Sequence, residues 1–301
     1  MPNHQHAPTP RTRPVHRVAG RAAVALETTL LAHGLPQGQG GPLANELDEI
    51  IEQHGVRPAT TGVLDGVPIV GMTRDELADF LSRPDIEKAN TANLGPLIHQ
   101  GKTAATTVSA TVLLAANAGI RTMATGGLGG VHHKLDQRLD ISADLAALAR
   151  HPVAVVASGV KAILDVASTR ELLETLGVPV VGFRTDRFPA FYLTESEAGV
   201  DATFEHPADI ARFARRHLAS TGSGVLVVQP VPVEHAIEPH VWHDWLERAQ
   251  HETAAMQGRA TTPAILEAVH RISDGHTLRT NLALVRANAE LAAQIATEFI
   301  R

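Results

Sequence analysis

An α/β fold with a mainly parallel sheet covered by helices is predicted by three observations. Short β-branched runs alternate with Ala/Leu-rich stretches that carry apolar residues at three- and four-residue spacing. Most of the apolar runs stop within two residues of Gly, Ser or Pro, as buried strands do. The composition, 44% hydrophobic and 19% charged over 301 residues, is that of an ordinary globular protein with ample length for a core. Alternation of this kind places helices on both faces of a parallel sheet.

The elements follow in chain order. Residues 1–20, MPNHQHAPTPRTRPVHRVAG, are basic and rich in Pro and His, without the apolar stretch of a secretory signal, and are expected to form a disordered arm. Strands are expected at Ala22–Leu26, Ile120–Ala124, Pro152–Ala157, Pro179–Gly182 and Val225–Val228. Helices are expected at Pro42–His54, Thr107–Ala118, Ala143–Ala149 and Lys161–Leu176. Two more, Thr262–Ile272 and Asn281–Glu298, flank Ser273-Asp274-Gly275-His276, a stop followed by a new start. No linker, charge block or internal repeat divides residues 21–301, so one domain is expected there.

Composition excludes several classes of function. With no cysteine there is no disulfide scaffold, Cys-ligated metal or thiol nucleophile. A net charge of −6 gives no general attraction to nucleic acid or an anionic membrane. No apolar run approaches the roughly 18 residues of a membrane span, and a cytoplasmic protein is expected.

Five segments carry candidate chemistry. Gly101-Lys102-Thr103 resembles the end of a phosphate-binding P-loop, but Gly95 lies one residue too far away for that spacing, and a turn is the better reading. Residues 125–133, TGGLGGVHH, hold four glycines in five positions after a strand, which suits an anion- or sugar-binding loop. Asp140-Ile-Ser-Ala-Asp144 reads either as a helix cap or as a hard-metal or phosphate site. Lys161, at the predicted start of an apolar helix, reads either as a snorkelling surface lysine or as a Schiff-base nucleophile. In the second reading the helix dipole and desolvation increase its neutral fraction. Glu27, where an apolar strand meets Thr28-Thr29, is a surface charge or a partly desolvated acid suited to proton transfer. Taken alone, Lys88 reads as a solvated helix lysine, and His240-x-x-His243 beside Trp242 and Trp245 as an amphipathic helix face rather than a metal site.

Seven stretches bring these signals together. They are Val24–Pro36 (VALETTLLAHGLP), Arg57–Met72 (RPATTGVLDGVPIVGM), Thr106–His133, Asp140–Leu145 (DISADL), Val156–Tyr192, Gln229–Ala236 (QPVPVEHA) and Thr262–Ala289. On these the chain resembles the pseudouridine-5′-phosphate glycosidases, or indigoidine-synthase-A-like proteins, from about residue 22 to 298. The resemblance implies a three-layer α/β/α sandwich with a mainly parallel central sheet and C-terminal helices, usually a homotrimer, with Mn²⁺ (or Mg²⁺) in the site. It implies cleavage or synthesis of a C-glycosidic bond to ribose 5-phosphate, a small phosphorylated ribosyl substrate. By motif, Lys161 matches the Schiff-base lysine, Glu27 the proton donor and acceptor, and Lys88 a second active-site lysine. Asp144 matches the metal-binding carboxylate, with Ser142 beside it, while Thr107, Thr125, His132 and Asn281 match substrate-pocket positions.

The sequence also departs from that family. A Ser-Arg-Arg-Asp run commonly follows the second lysine, whereas Lys88 is followed by Ala89-Asn90-Thr91-Ala92-Asn93. His133 and Lys134 stand where Arg-Gly is usual, and Gln229 replaces an Asn before Pro-Val-Pro. The sugar chemistry is expected to be retained and recognition of the aglycone or phosphate altered. An alternative is therefore a C-ribosyl synthase that joins ribose 5-phosphate to an aromatic polyketide, as the alnumycin-type members of the family do.

Overall fold

The computed structural model describes residues 14–133, 139–253 and 261–300, with Thr261–Pro263 described in backbone only. Parallel pairing of the apolar runs accounts for most of it. The strands are β1 Val15–His16, β2 Ala23–Glu27, β3 Arg57–Leu64, β4 Val67–Val70, β5 Glu87–Ala89, β6 Ala104–Thr106, β7 Thr122–Ala124, β8 Ala154–Ala157, β9 Val180–Phe183, β10 Ala202–Phe204 and β11 Val225–Val228. They form one sheet in the order β1-β4-β3-β2-β7-β8-β11-β9-β10, with β6 paired to β3 and β5 to β6. Neighbours are parallel except where β3 meets β4 and β6.

The helices are α1 Thr29–His33, α2 Gly40–Glu52, α3 Arg74–Ser82, α4 Leu94–His99, α5 Val108–Asn117, α6 Ala143–Arg150, α7 Val166–Thr175, α8 Pro207–Thr221, α9 Pro239–Glu252, α10 Thr261–Ile272 and α11 His276–Ile300. Alternate residues along each central strand face opposite layers. Val24, Leu26, Ala124, Val156 and Val227 pack with α2, α8 and α11. Ala23, Ala25, Met123, Val155 and Leu226 pack with α5, α6 and α7. The result is the expected three-layer sandwich. The long α11 lies over β2, β7 and β8 through an alanine-rich face that includes Ala289, Ala292, Ala293 and Ala296. Small side chains there let the helix approach the sheet closely.

Several boundaries differ from expectation for physical reasons. Lys161 does not open a helix: α7 starts at Val166, where the Asp165 carboxylate caps the chain by accepting from Ser168 N (2.9 Å) and Oγ (2.8 Å). The sheet takes in part of the expected arm, since Val15 and His16 pair with β4 and Arg17 forms an ion pair with Glu76. The rest of the arm, 1–13, lies outside the described residues, as does Lys134. Gly101-Lys102-Thr103 is a turn, but it leads from α4 into strand β6 rather than into a helix. Leu64-Asp65-Gly66-Val67 is a two-residue hairpin with φ 49° at Asp65 and 77° at Gly66, the pairing of conformations that Asp-Gly favours. His240 and His243 do lie on a helix, α9, which buries Trp242.

One buried charge works against the fold. On α2, Asp48 Oδ1 is buried without a hydrogen-bond partner. Burial first, and then the neighbouring Glu52, push its pKa up to about 6, with Arg74 opposing. The folded chain thus keeps a proton that the unfolded carboxyl, near 3.8, gives up. Stability therefore falls as pH rises from about 4 to about 6, and the deficit persists above that window. Asp48→Asn is expected to raise Tm at about pH 7.5 and to change it little at about pH 4, as read by thermal unfolding at the two pH values.

Candidate active site

The C-terminal ends of the central strands converge, which is where open parallel sheets place their ligands. Glu27 ends β2, Thr125 follows β7, Ser158 follows β8 and Gln229 follows β11. Strand alternation turns Glu27 and Thr125 to the α5/α6 layer, and Ser158 and Gln229 to α11. The Thr125 hydroxyl donates to the Glu27 carboxylate. Burial raises the Glu27 pKa, and the charge of Asp144 adds to this; Lys161, the Thr125 hydroxyl and Lys88 pull the other way. Glu27 is thus a desolvated acid among charged groups of both signs.

Lys161 is held by an extension of the sheet. Beyond the strand ends, Thr125 N donates to Val156 O (3.0 Å), Ser158 N to Gly126 O (2.9 Å), Leu128 N to Gly159 O (3.0 Å) and Lys161 N to Leu128 O (3.1 Å). The glycine loop and the Ser-Gly-Val-Lys loop therefore remain paired in register. Lys161 is half-buried on that rung. The expected contribution of a helix N-terminus is absent, because α7 begins five residues later.

Lys88 arrives on β5, whose partner β6 leads directly into the Thr107 cap of α5. Thr107 N donates to Ala89 O (2.9 Å), joining the two segments. Loss of hydration, and then the charge of Lys161, lower the Lys88 pKa, while Glu27 and Asp144 raise it. The Asn-rich segment that stands where the family commonly has arginines closes on itself. Asn90 N donates to Asn93 Oδ1 (2.8 Å), Asn90 Oδ1 accepts from Ala92 N (2.8 Å), and Asn93 Nδ2 donates to Lys88 O (2.9 Å). His33, at the end of α1, also lies here: its pKa is lowered by burial and by the charge of Lys88, while the backbone of Glu87 and Ile86 raises it. Sequence reasoning missed His33, although it lies in a stretch that carries the resemblance.

Asp144 is the buried carboxylate of the site. Its Oδ1 accepts from Ser109 N (2.9 Å) and its Oδ2 from Gly129 N (3.0 Å), tying α6 to α5 and to the glycine loop. Ser142 caps α6 by accepting from Asp144 N (3.2 Å), and the hydroxyls of Thr107 and Ser109 are 2.8 Å apart. The cap reading of DISAD thus has a physical basis in Ser142. Each Asp144 oxygen retains one lone pair, and Asp140 is exposed at the head of the segment. The donor set fits a largely hydrated Mn²⁺ or Mg²⁺ held through carboxylate oxygen. Among the described residues no group of three or more His, Asp or Glu side chains forms a metal cage.

The glycines are required for close packing as well as for access. A Cβ on Gly127 would lie 2.8 Å from Cε2 of Phe191, and one on Gly129 would lie 2.9 Å from Asp144 Oδ2 and closer still to Ser142 Oγ. Phe191 itself has φ 60° and donates its N–H to Ser158 O (2.9 Å), so the aromatic segment braces the site. Phe188, Phe191 and Tyr192 are buried, with Phe191 edge-on to Tyr192 at 4.7 Å. They are core side chains.

The α11 helix supplies two amides. Asn281 Oδ1 is buried without a hydrogen-bond partner, beside Gly126. Asn288, which sequence reasoning did not single out, is fully buried and bonds to Thr125, Gly126, Ser158 and Gln229. The fold thus gathers Glu27, Thr125, Lys161, Lys88 and Asp144, with Ser142, Thr107 and Asn281 at their margins. His132 is joined through its backbone, its N–H donating to Asp140 O (3.0 Å); its side chain is half-buried.

Comparison with known proteins identifies the family. The family model described as "Indigoidine synthase A like protein" matches residues 16–298. The chain is 45% identical over 276 residues to a pseudouridine-5′-phosphate glycosidase of Dinoroseobacter shibae, covering 91% of this chain and 90% of the relative. It is 43% identical to the protein of the same name from Mesorhizobium japonicum, covering 92% of each. The crystal structure of an indigoidine synthase A-like protein from Thermotoga maritima superposes with a TM-score of 0.87, 34% identity and full coverage of both chains. That of the prealnumycin C-glycosynthase in complex with ribulose 5-phosphate superposes with a TM-score of 0.85 and 30% identity, covering 96% of this chain and 92% of the other. Among the described residues no helix is long and apolar enough to cross a membrane.

The packing at Gly129 yields a direct test. Gly129→Ala forces a methyl group against Ser142 and Asp144 and is expected to cost about 1–3 kcal/mol of unfolding free energy. Gly95→Ala, with nothing within 4 Å of the added carbon, is the unstrained comparison. Denaturant unfolding of the two variants measures the difference.

Proposed function

Because the chain belongs to the indigoidine synthase A-like family, we propose that it makes and breaks the carbon–carbon bond between ribose 5-phosphate and a nucleobase, with pseudouridine 5′-phosphate as substrate and uracil as product. The observation that carries this reading is Glu27, a buried acid bonded to Thr125 and electrostatically coupled to Lys161 and Lys88. A carbon leaving group has no lone pair to protonate, so the paired carboxylates of ordinary glycosidases gain little here. An amine bonded to C1′ supplies the missing electron pair, because its nitrogen can form C1′=N as the carbon–carbon bond breaks.

The steps balance as follows. The Lys161 amine bonds to C1′ as the ring C1′–O bond breaks, and the proton shed by nitrogen passes to the ring oxygen by way of Lys88, giving an open-chain amine adduct with a free hydroxyl. Glu27 delivers its proton to the uracil carbon attached to C1′. As that carbon–carbon bond breaks, the nitrogen lone pair forms the C1′=N iminium and uracil departs. Water then adds to the iminium, releasing ribose 5-phosphate as its aldehyde, freeing Lys161 and returning a proton to Glu27. Reversal of the same steps forms the bond. The raised pKa of Glu27 suits a proton donor, and the lowered pKa of Lys88 suits a group that exchanges protons with the sugar oxygens. Thr107, Ser142 and His132, with the N–H groups of the glycine loop, are proposed to receive the phosphate and hydroxyls, and Asn281 Oδ1 to accept from the substrate. A hydrated Mn²⁺ or Mg²⁺ at Asp144 would supply positive charge beside the phosphate. We propose the family's homotrimer as the assembly and the cytoplasm as the location.

The self-bonded Asn90–Asn93 turn beside Lys88 favours a second reading in the same chemistry. With no arginine there, a larger, flatter acceptor than uracil would enter, as in an aromatic C-ribosyl synthase.

Borohydride treatment with ribose 5-phosphate is expected to trap a reduced adduct on Lys161, located by peptide mass spectrometry and abolished in Lys161→Ala. Active protein that yields no adduct rules the mechanism out. Glu27→Gln is expected to retain the adduct and to lose uracil release by about 100-fold or more, the scale of a general acid. An adduct without uracil release in the unaltered protein would favour the second acceptor.

A further inference from the structure

We infer that Asn288 is a positioning residue that sets the acid Glu27 and the nucleophile Lys161 in fixed relation, acting from the far layer through the carbonyls of the two site loops. The inference rests on the proposed C-glycosidic chemistry, and its grounds are geometric. Asn288 lies on α11, on the opposite side of the sheet from Glu27, and is fully buried. Its Nδ2 donates to Thr125 O (2.8 Å), to Gly126 O (3.3 Å) and to Ser158 Oγ (3.2 Å). Its Oδ1 accepts from Gln229 Nε2 (2.9 Å) and lies 3.4 Å from Ser158 Oγ.

These partners occupy three neighbouring strand ends, β7, β8 and β11. Thr125 leads to the acid, because its own hydroxyl holds the Glu27 carboxylate on the other face of the sheet. Gly126 O also accepts from Ser158 N, the rung that begins the pairing of the two loops. Ser158 leads to the nucleophile, three residues before Lys161 in a segment whose following rungs are Leu128 N to Gly159 O and Lys161 N to Leu128 O. One carboxamide thus anchors both arms of the site at the point where strand pairing gives way to loop pairing. A hydrocarbon in its place would leave the Thr125 carbonyl without this donor in a buried setting. The orientation of the amide is fixed in turn: Gln229 presents a donor, so Oδ1 faces it and Nδ2 faces the carbonyls.

Because a displacement of about 1 Å at reacting groups costs up to about 100-fold in rate, loss of this anchor acts on the chemical step rather than on binding. The experiment uses the full-length protein with pseudouridine 5′-phosphate, comparing unaltered protein with Asn288→Ala and Asn288→Asp. Asn288→Asp keeps the acceptor for Gln229 and loses the donor to the carbonyls. The expected result, per folded molecule, is a fall in kcat of about 10- to 100-fold with KM within about threefold, and slower borohydride-trapped adduct formation at Lys161. A purely structural role would lower Tm and leave kcat of the folded fraction unchanged, and that result overturns the inference. If neither variant folds, Gln229→Ala, which frees the amide to rotate, is expected to lower kcat about three- to tenfold; an unaltered kcat overturns the inference here as well. Unaltered protein that gives neither uracil nor an adduct would instead overturn the proposed function, so the two failures are distinguishable.

Discussion

The site depends on one constraint: β7 and β8 keep pairing after their regular hydrogen-bond ladder has ended. From Thr125 N to Lys161 N, four backbone bonds carry the parallel register into two loops, where Leu128 and Val160 stay buried in the core. Glycine makes this possible on one side, since Gly129 must pass close to Ser142 and Asp144. Asp144 makes it stable on the other, since one carboxylate takes N–H groups from both the glycine loop and α5. A lysine on an unsupported loop would carry the entropy of a long, free side chain on a free backbone. Here the backbone is fixed, and only the side chain has to be ordered by substrate.

The electrostatics follow from that placement. Glu27, Asp144, Lys88 and Lys161 form a cluster of two acids and two bases whose formal charges cancel. Desolvation moves Glu27 upward and Lys88 downward, which brings a carboxyl and an amine closer in proton affinity than either would be in water. Asp144 differs in kind, because its oxygens are already held by two N–H donors. In the proposed reaction, proton transfer falls to Glu27 and anchoring to Asp144, a division made by environment among chemically identical groups.

Much of this was legible in the sequence, for reasons that can be stated residue by residue. The central strands are buried on both faces, so their apolar runs stand out, and Val225–Val228 coincides with its strand. The three-residue β5 and β6 have neither the length nor the β-branched content to announce themselves, yet they carry Lys88 to the site. Asp65-Gly66 is a hairpin signal that the alternation of parallel units does not contain. The sequence places Lys161 on a helix because Ala162, Ile163 and Leu164 continue the apolar pattern; the decisive mark is Asp165, whose carboxylate caps at Ser168. Asn288 left no local signal, because an asparagine in an alanine-rich helix declares its role only when the helix is laid over the strand ends.

The departures from the family pattern fall in two different layers, and the layers decide what they change. Gln229 stands in place of an asparagine, but its longer side chain still presents an amide donor to Asn288 at 2.9 Å. That substitution preserves the positioning layer behind Thr125 and Ser158. The Asn90–Asn93 turn is different: it removes positive charge beside Lys88 and meets its hydrogen-bonding needs internally, including the bond to Lys88 O. A self-satisfied turn holds β5 in place without contributing an ion-pairing group toward the cavity. On the proposed function, the chemistry of C1′, which uses Lys161 and Glu27, is insulated from the change. The same reading moves recognition at the Lys88 end from charge toward shape and neutral hydrogen bonding.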